Sequence, residues 1–204
     1  MLAVVVFARC GGGGKDEVKS KDGAEASKTE TKKAAECTPN QNLTFLVKGY
    51  KFGMKGDFAF DGKFEVKKAW FVPGKGTYTE NGKTTPTEKV EVYLANYETA
   101  DKNTPAKDEE MLIKFTLYAK GVKLEPQSYK KGTQGTYYAS IDIETTKGKV
   151  YFNWLAGMPE EGNIVVTSFD GNKLCGEIKL KVDKPTDDKI GTVALNGTFY
   201  AEKK

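Results

Sequence analysis

The chain predicts an all-β fold, an antiparallel β-sandwich of about nine strands, and three observations predict it. From Cys37 onward, short runs alternate apolar and polar side chains with a period of two, the pattern of half-buried strands. Gly, Asn, Asp and Pro punctuate those runs, with Asp61-Gly62, Asn81-Gly82 and Asp170-Gly171 where hairpin turns need positive φ. No stretch after residue 37 carries a capped 3.6-residue periodicity, and at most one helical turn is expected, over 105–110.

In order, "NLTFLVKG" puts Leu43, Phe45 and Val47 on one face, and "KFEVKKAWFV" puts Phe64, Val66 and Trp70 on one face. "KVEVYLANY" sends Val90, Val92 and Leu94 inward, with Tyr93 and Tyr97 opposite. "MLIKFTLYA" contributes Met111, Ile113, Phe115 and Leu117, and "TYYASIDIE" contributes Tyr137, Ala139, Ile141 and Ile143. "KVYFNWLA" contributes Val150, Phe152 and Trp154, and "NIVVTSF" is apolar on both faces. "LCGEIKLKV" contributes Leu174, Ile178, Leu180 and Val182, with Cys175 on the wet side; "GTVALNGTFYA" contributes Val193, Leu195 and Phe199. Asn196-Gly197 falls inside that last run and reads as a bulge. Uneven strand lengths and two long connections, 73–87 and 98–110, favour the sandwich over the alternative, a lipocalin-like β-barrel.

Composition excludes several chemistries. The 204 residues hold 32 Lys+Arg and 28 Asp+Glu, a net charge of +4 spread along the chain. Arginine, the bidentate reader of phosphate and guanine, occurs once, at Arg9, so no nucleic-acid partner is expected. Histidine is absent, which removes Ser-His-Asp triads, Cys-His pairs and His-ligated metals. No GxxxxGK[ST], GxGxxG or GxSxG motif occurs. The acidic stretch with Asp101, Asn103, Asp108, Glu109 and Glu110 lacks the ligand spacing of a calcium loop and reads as solvated. No catalytic residue, cofactor or metal is therefore expected.

The N-terminal stretch "MLAVVVFARCGGGGKDEVKSKDG" moves from an apolar run through a cysteine to glycine and then charge. Residues 11–36 hold one large aliphatic side chain, Val18, too few to offset ordering entropy, so the segment reads as a disordered Gly/Lys/Glu tether. Val6, Phe7, Ala8, Arg9 and Cys10, followed by Gly11, resemble the lipobox of bacterial lipoproteins, with Phe7 in place of the usual leucine and Arg9 in place of a small residue. The alternative is an ordinary first strand, "LAVVVFA". The resemblance implies a truncated lipoprotein signal segment over 1–10, lipid on Cys10, a membrane partner through that anchor, and a bacterial cell-envelope location, outer membrane or periplasm-facing. A single β domain over 37–204 follows. With Cys10 assigned to lipid, Cys37 and Cys175 remain as a pair, and outside the cytoplasm disulfides persist; the alternative is two free thiols.

The expected function is a non-enzymatic binding or structural domain of an envelope lipoprotein. One alternative is a barrel carrying a small hydrophobic ligand; the other is a carbohydrate-active enzyme using two carboxylates. Among 23 aromatic residues, Tyr93, Tyr97, Tyr138 and Tyr151 fall on polar strand faces, where an exposed row would stack on a carbohydrate or seat a protein partner. Trp154, beside a Gly-Met-Pro turn, is a candidate for a ligand rim.

Overall fold

A computed structural model describes residues 37, 39, 41–51, 54–56, 58–98, 104–131, 135–151, 160–184 and 191–204. Cys10, the tether over 11–36, Phe152 and Trp154 lie outside the described residues. The described elements are all strands: β1 (Asn42–Tyr50), β2 (Phe58–Phe64), β3 (Lys68–Glu80), β4 (Lys83–Ala95), β5 (Met111–Lys120), β6 (Ser128–Lys131), β7 (Tyr137–Thr145), β8 (Gly148–Tyr151), β9 (Glu160–Phe169), β10 (Lys173–Lys184) and β11 (Gly191–Lys203).

The expected sandwich is corrected to a closed barrel. The sheet runs β10-β9-β6-β7-β5-β4-β3-β11, and β11 pairs again with β10, so eight strands form a ring, with no second sheet among the described residues. Three strands lie off the ring: β1 pairs with β11, β2 with β1, and β8 with β7. The last turn of the ring is short. Glu202 and Lys203 of β11 pair in parallel with Trp70 and Phe71 of β3, and the Lys204 amide donates to the Phe71 carbonyl at 3.0 Å.

The alternation read from sequence fills the interior. Leu43, Phe45, Val90, Val92, Leu94, Ile113, Phe115, Leu117, Ile141, Ile143, Leu174, Ile178, Val193, Leu195 and Phe199 belong to one buried cluster. Rings meet across the barrel: Phe115 of β5 and Phe199 of β11 lie edge-on with centroids 5.0 Å apart, and Phe71 and Phe169 do so at 5.8 Å. Each such side chain withdrawn from water stabilises the fold by about 1.5–3 kcal/mol. The outward positions of β4, β7 and β10 carry Lys89, Glu91, Asp142, Glu144, Glu177 and Lys179. That is the inverse of a lipid-facing barrel, whose apolar band lies outside.

Four further readings change. Trp70 does not join Phe64 on an inner face: the strand breaks at 65–67, and β3 restarts with Phe71 inward and Trp70 outward. The stretch 73–87 is not a loop; β3 and β4 form one long hairpin with Asn81 (φ 50°) and Gly82 (φ 75°) at its tip, the two positive-φ positions of a type I′ turn. Asp61-Gly62 is no turn but lies inside β2, opposite Leu46 and Phe45. Residues 105–110 agree with the expected single turn, closed by Glu110 N to Lys107 O at 2.9 Å. Gly197 is no bulge, because β11 keeps its register with both neighbours there. It is a close approach: Gly197 has φ +132°, and a Cβ would sit 1.7 Å from the Asn42 carbonyl oxygen. Gly176 combines close approach and packing, since a Cβ there would meet the Val165 carbonyl oxygen at 2.3 Å and the Phe199 ring at 2.6 Å.

Cys37 and Cys175 form a disulfide with Cα atoms 5.6 Å apart, across 138 residues of sequence. It pins the segment entering β1 to β10, two strands away. On the chain-entropy account, closing so long a loop stabilises the fold by about 4–5 kcal/mol.

Gly197→Ala is expected to destabilise the fold by about 3 kcal/mol or more in urea unfolding, because β1 must move and the backbone is strained. Gly76→Ala, with nothing within 4 Å of its new Cβ, is expected to change stability by less than about 0.5 kcal/mol.

Candidate functional site

The described inward side chains pack into one buried cluster, and the described charged side chains sit on the outer wall and at the barrel's ends. The wall over β3, β4, β5, β7 and β8 is set by register. Trp70 stands opposite Tyr93, Tyr93 opposite Lys114, Lys114 opposite Asp142, and Glu144 opposite Lys149. Antiparallel pairing puts such partners within side-chain reach on one face.

Trp70 and Tyr93 stack with centroids 5.0 Å apart and planes 4° from parallel. The ammonium groups of Lys68 and Lys204 each lie 5.8 Å from the Trp70 ring, and that of Lys114 lies 5.3 Å from Tyr93. Glu91 joins the aromatic strip to the charges: Lys89 Nζ donates to its Oε1 at 2.8 Å and the Tyr93 hydroxyl donates to its Oε2 at 2.6 Å. These bonds, the Lys89 bond foremost, hold the Glu91 carboxyl below its usual range, while the same Lys89–Glu91 bond raises the lysine. Burial, then the bond to Glu91, pushes the Tyr93 hydroxyl up. Farther along, Lys149 Nζ lies 2.5 Å from Glu144 and 3.8 Å from Asp142. Burial outweighs those lysines at Asp142 and raises its carboxyl.

A second aromatic group lies toward the hairpin tip. Tyr118 and Tyr138 stack at 4.6 Å, Tyr78 approaches Tyr138 at 6.1 Å, and Lys120 sits 4.3 Å above the Tyr78 ring. Two clefts flank the wall. One, of 350 Å³, lies at a barrel mouth, lined by Pro73, Gly74, Glu88, Val90, Leu124 and Phe169 among others. The other, of 540 Å³, runs between β2 (Phe60, Lys63) and the β4–β5 connection (Asn96, Tyr97, Glu98, Lys107, Glu109, Glu110).

The expected aromatic row is brought together only in part, and it is not an open stacking surface. Tyr93, Tyr97 and Tyr138 are 9, 7 and 8 % exposed. Tyr93 and Tyr97 pack with Trp70, Ala95 and Leu112 into an outer buried cluster, and Tyr138 belongs to the separate group with Tyr118. Burial also raises the Tyr97 hydroxyl to about 12. Tyr151 lies opposite Asp142 on β8. Cys37 and Cys175 are joined; Cys10 and Trp154 fall outside the described residues. In the acidic stretch, Glu110 accepts the amides of Ala106 and Lys107, and Asp108 accepts the Thr146 hydroxyl. Among the described residues, no three His, Cys, Asp or Glu side chains converge as a metal site.

Sequence reasoning missed Trp70, Lys114, Asp142 and Lys149 as one network, and Tyr78 and Tyr118 as partners of Tyr138. Strand parity marks Lys114, Asp142, Lys149 and Tyr118 as outward, whereas Trp70 reads as inward and Tyr78 falls in the expected connection over 73–87; only the pairing order β3-β4-β5-β7-β8 makes them neighbours. No protein-family model, curated protein or solved structure matches the chain.

Glu91→Gln is expected to cost about 1 kcal/mol at neutral pH, the worth of partly exposed charge-assisted bonds. Because folding lowers the Glu91 pKa, that contribution is present above its unfolded value of 4.5 and is lost as the pH falls through the folded value. Urea titrations of variant and parent should therefore converge in acid. A difference that persists unchanged there would assign the effect to packing.

Proposed function

We propose that the chain is a cell-envelope lipoprotein whose barrel acts by binding from its outer wall and not by catalysis. In this reading Cys10 carries the lipid, residues 11–36 space the barrel from the membrane, and 37–204 present the wall to a protein or carbohydrate partner. The observation that carries the reading is the Cys37–Cys175 bridge, since disulfides persist in oxidising compartments and are rare in the cytoplasm. The charged outer wall supports an aqueous setting for the barrel, with the membrane reached through the anchor.

The carrier alternative is supported by the 350 Å³ cleft, which Val90, Leu124 and Phe169 line; against it, the Phe115–Phe199 and Phe71–Phe169 rings meet in the described interior. The two-carboxylate enzyme finds its acids in the larger cleft, which Glu65, Glu98, Glu109 and Glu110 line; Glu110 there is already engaged by the amides of Ala106 and Lys107, and Lys63, Lys67 and Lys107 share the lining.

Metabolic labelling of the full chain with an alkyne fatty acid is expected to tag the protein, and Cys10→Ser is expected to abolish the tag and release the protein from the membrane fraction. No incorporation, or incorporation indifferent to Cys10→Ser, would overturn the anchor.

A further inference from the structure

Strand β2 ends the sheet order. It pairs with β1 along one edge, and no described strand lies along the other. A free edge is a template for another strand, and proteins commonly guard it with charge. The guard here has an unusual feature. Ala59, Asp61 and Lys63 are exposed, while Phe58, Phe60 and Gly62 are half-buried and Phe64 is buried. Among the described residues, no salt bridge engages Asp61 or Lys63. One acid and one base, two residues apart on the same face, repel nothing in the register that brings each against the other.

We propose that this edge pairs with a second copy of the chain, antiparallel and two-fold symmetric about Gly62. That register sets Asp61 against Lys63 of the other copy and Lys63 against its Asp61, giving two opposite-charge cross-strand pairs. Gly62 meets Gly62, where no side chains compete, and Phe60 meets Phe64. A symmetric pair must use one patch on both copies, and this patch is self-complementary. The neighbouring symmetric registers fail on charge. Centred on Asp61, two carboxylates face each other; centred on Lys63, two ammonium groups do, with Asp61 against Glu65. Registers slipped by one residue place the inner face of one strand beside the outer face of the other.

Apolar packing favours the same occupant. Phe58 and Phe60 pack against the core without being fully covered, and Phe60 stacks on Phe45 at 5.5 Å. A second β2 continues the sheet and lays its own inward side chains beside them. Phe60 and Lys63 also border the 540 Å³ cleft, so neither is sealed under other described residues.

Sedimentation equilibrium of the unlipidated, oxidised full chain tests the pairing, with circular dichroism to verify folding. The parent is expected to dimerise reversibly. Asp61→Lys and Lys63→Asp are each expected to weaken the dimer roughly tenfold or more, by turning two attractive pairs into repulsive ones. The double variant, Asp61→Lys with Lys63→Asp, is expected to recover parental affinity, because the swap restores both pairs in the Gly62-centred register alone. Should a single variant fail to fold, the double variant against the parent decides. A parent that stays monomeric at every concentration, including one whose β2 instead takes up peptides of other proteins, would overturn the proposal. So would a dimer whose affinity the double variant does not recover.

Discussion

Strand β11 has to satisfy three neighbours at once, and the barrel closes because it does. Along one edge it pairs with β10 from Lys184 to Lys173; along the other it pairs with β1 from Thr192 to Thr198 and then with β3 at Glu202 and Lys203. A strand that exchanges partners midway must let one of them come close, and Gly197 is where β1 does so. Two residues on, Phe199 turns inward against Phe115, and Gly176 of β10 leaves its ring room. The ring closure is therefore short in backbone hydrogen bonds and long in side-chain packing. The Cys37–Cys175 bridge acts at this same seam, tying the entrance of β1 over β11 to β10.

In the proposed reading, recognition belongs to the outer wall. The wall over β3 to β8 is built from stacked rings capped by ammonium groups, each such contact worth about 0.5–1.5 kcal/mol. Lysine stems lie along the apolar rings and keep their charge in water, which is how Trp70 and Tyr93 come to be buried on the outside of a barrel.

The strand texture was legible because period-two alternation survives in nearly every element that faces the core, from Leu43 to Phe199. Sandwich and barrel were not separable on that basis, since both produce the same alternation; the difference lies in whether β11 returns to β3 and β10, a long-range pairing that leaves no local mark. The Asp-Gly and Asn-Gly pairs show the limit of turn chemistry. Asn81-Gly82 forms its turn, whereas Asp61-Gly62 stays extended because β1 supplies a ladder for it. Trp70 misled because residues 65–67 break the strand and shift parity by one. Of the site, the cysteine pair followed from assigning Cys10 to lipid. Tyr93, Tyr97 and Tyr138 were correctly placed outward but wrongly read as exposed, because the lysines and strands that cover them come from elsewhere in the chain.

Equilibrium urea unfolding of Phe199→Ala tests most directly whether closure rests on rings packed across the interior. A loss of about 3–5 kcal/mol, with the denaturant slope unchanged, is the predicted result. A loss below about 1 kcal/mol would mean that Phe199 borders space already empty, contradicting the filled barrel and reopening its interior to a ligand.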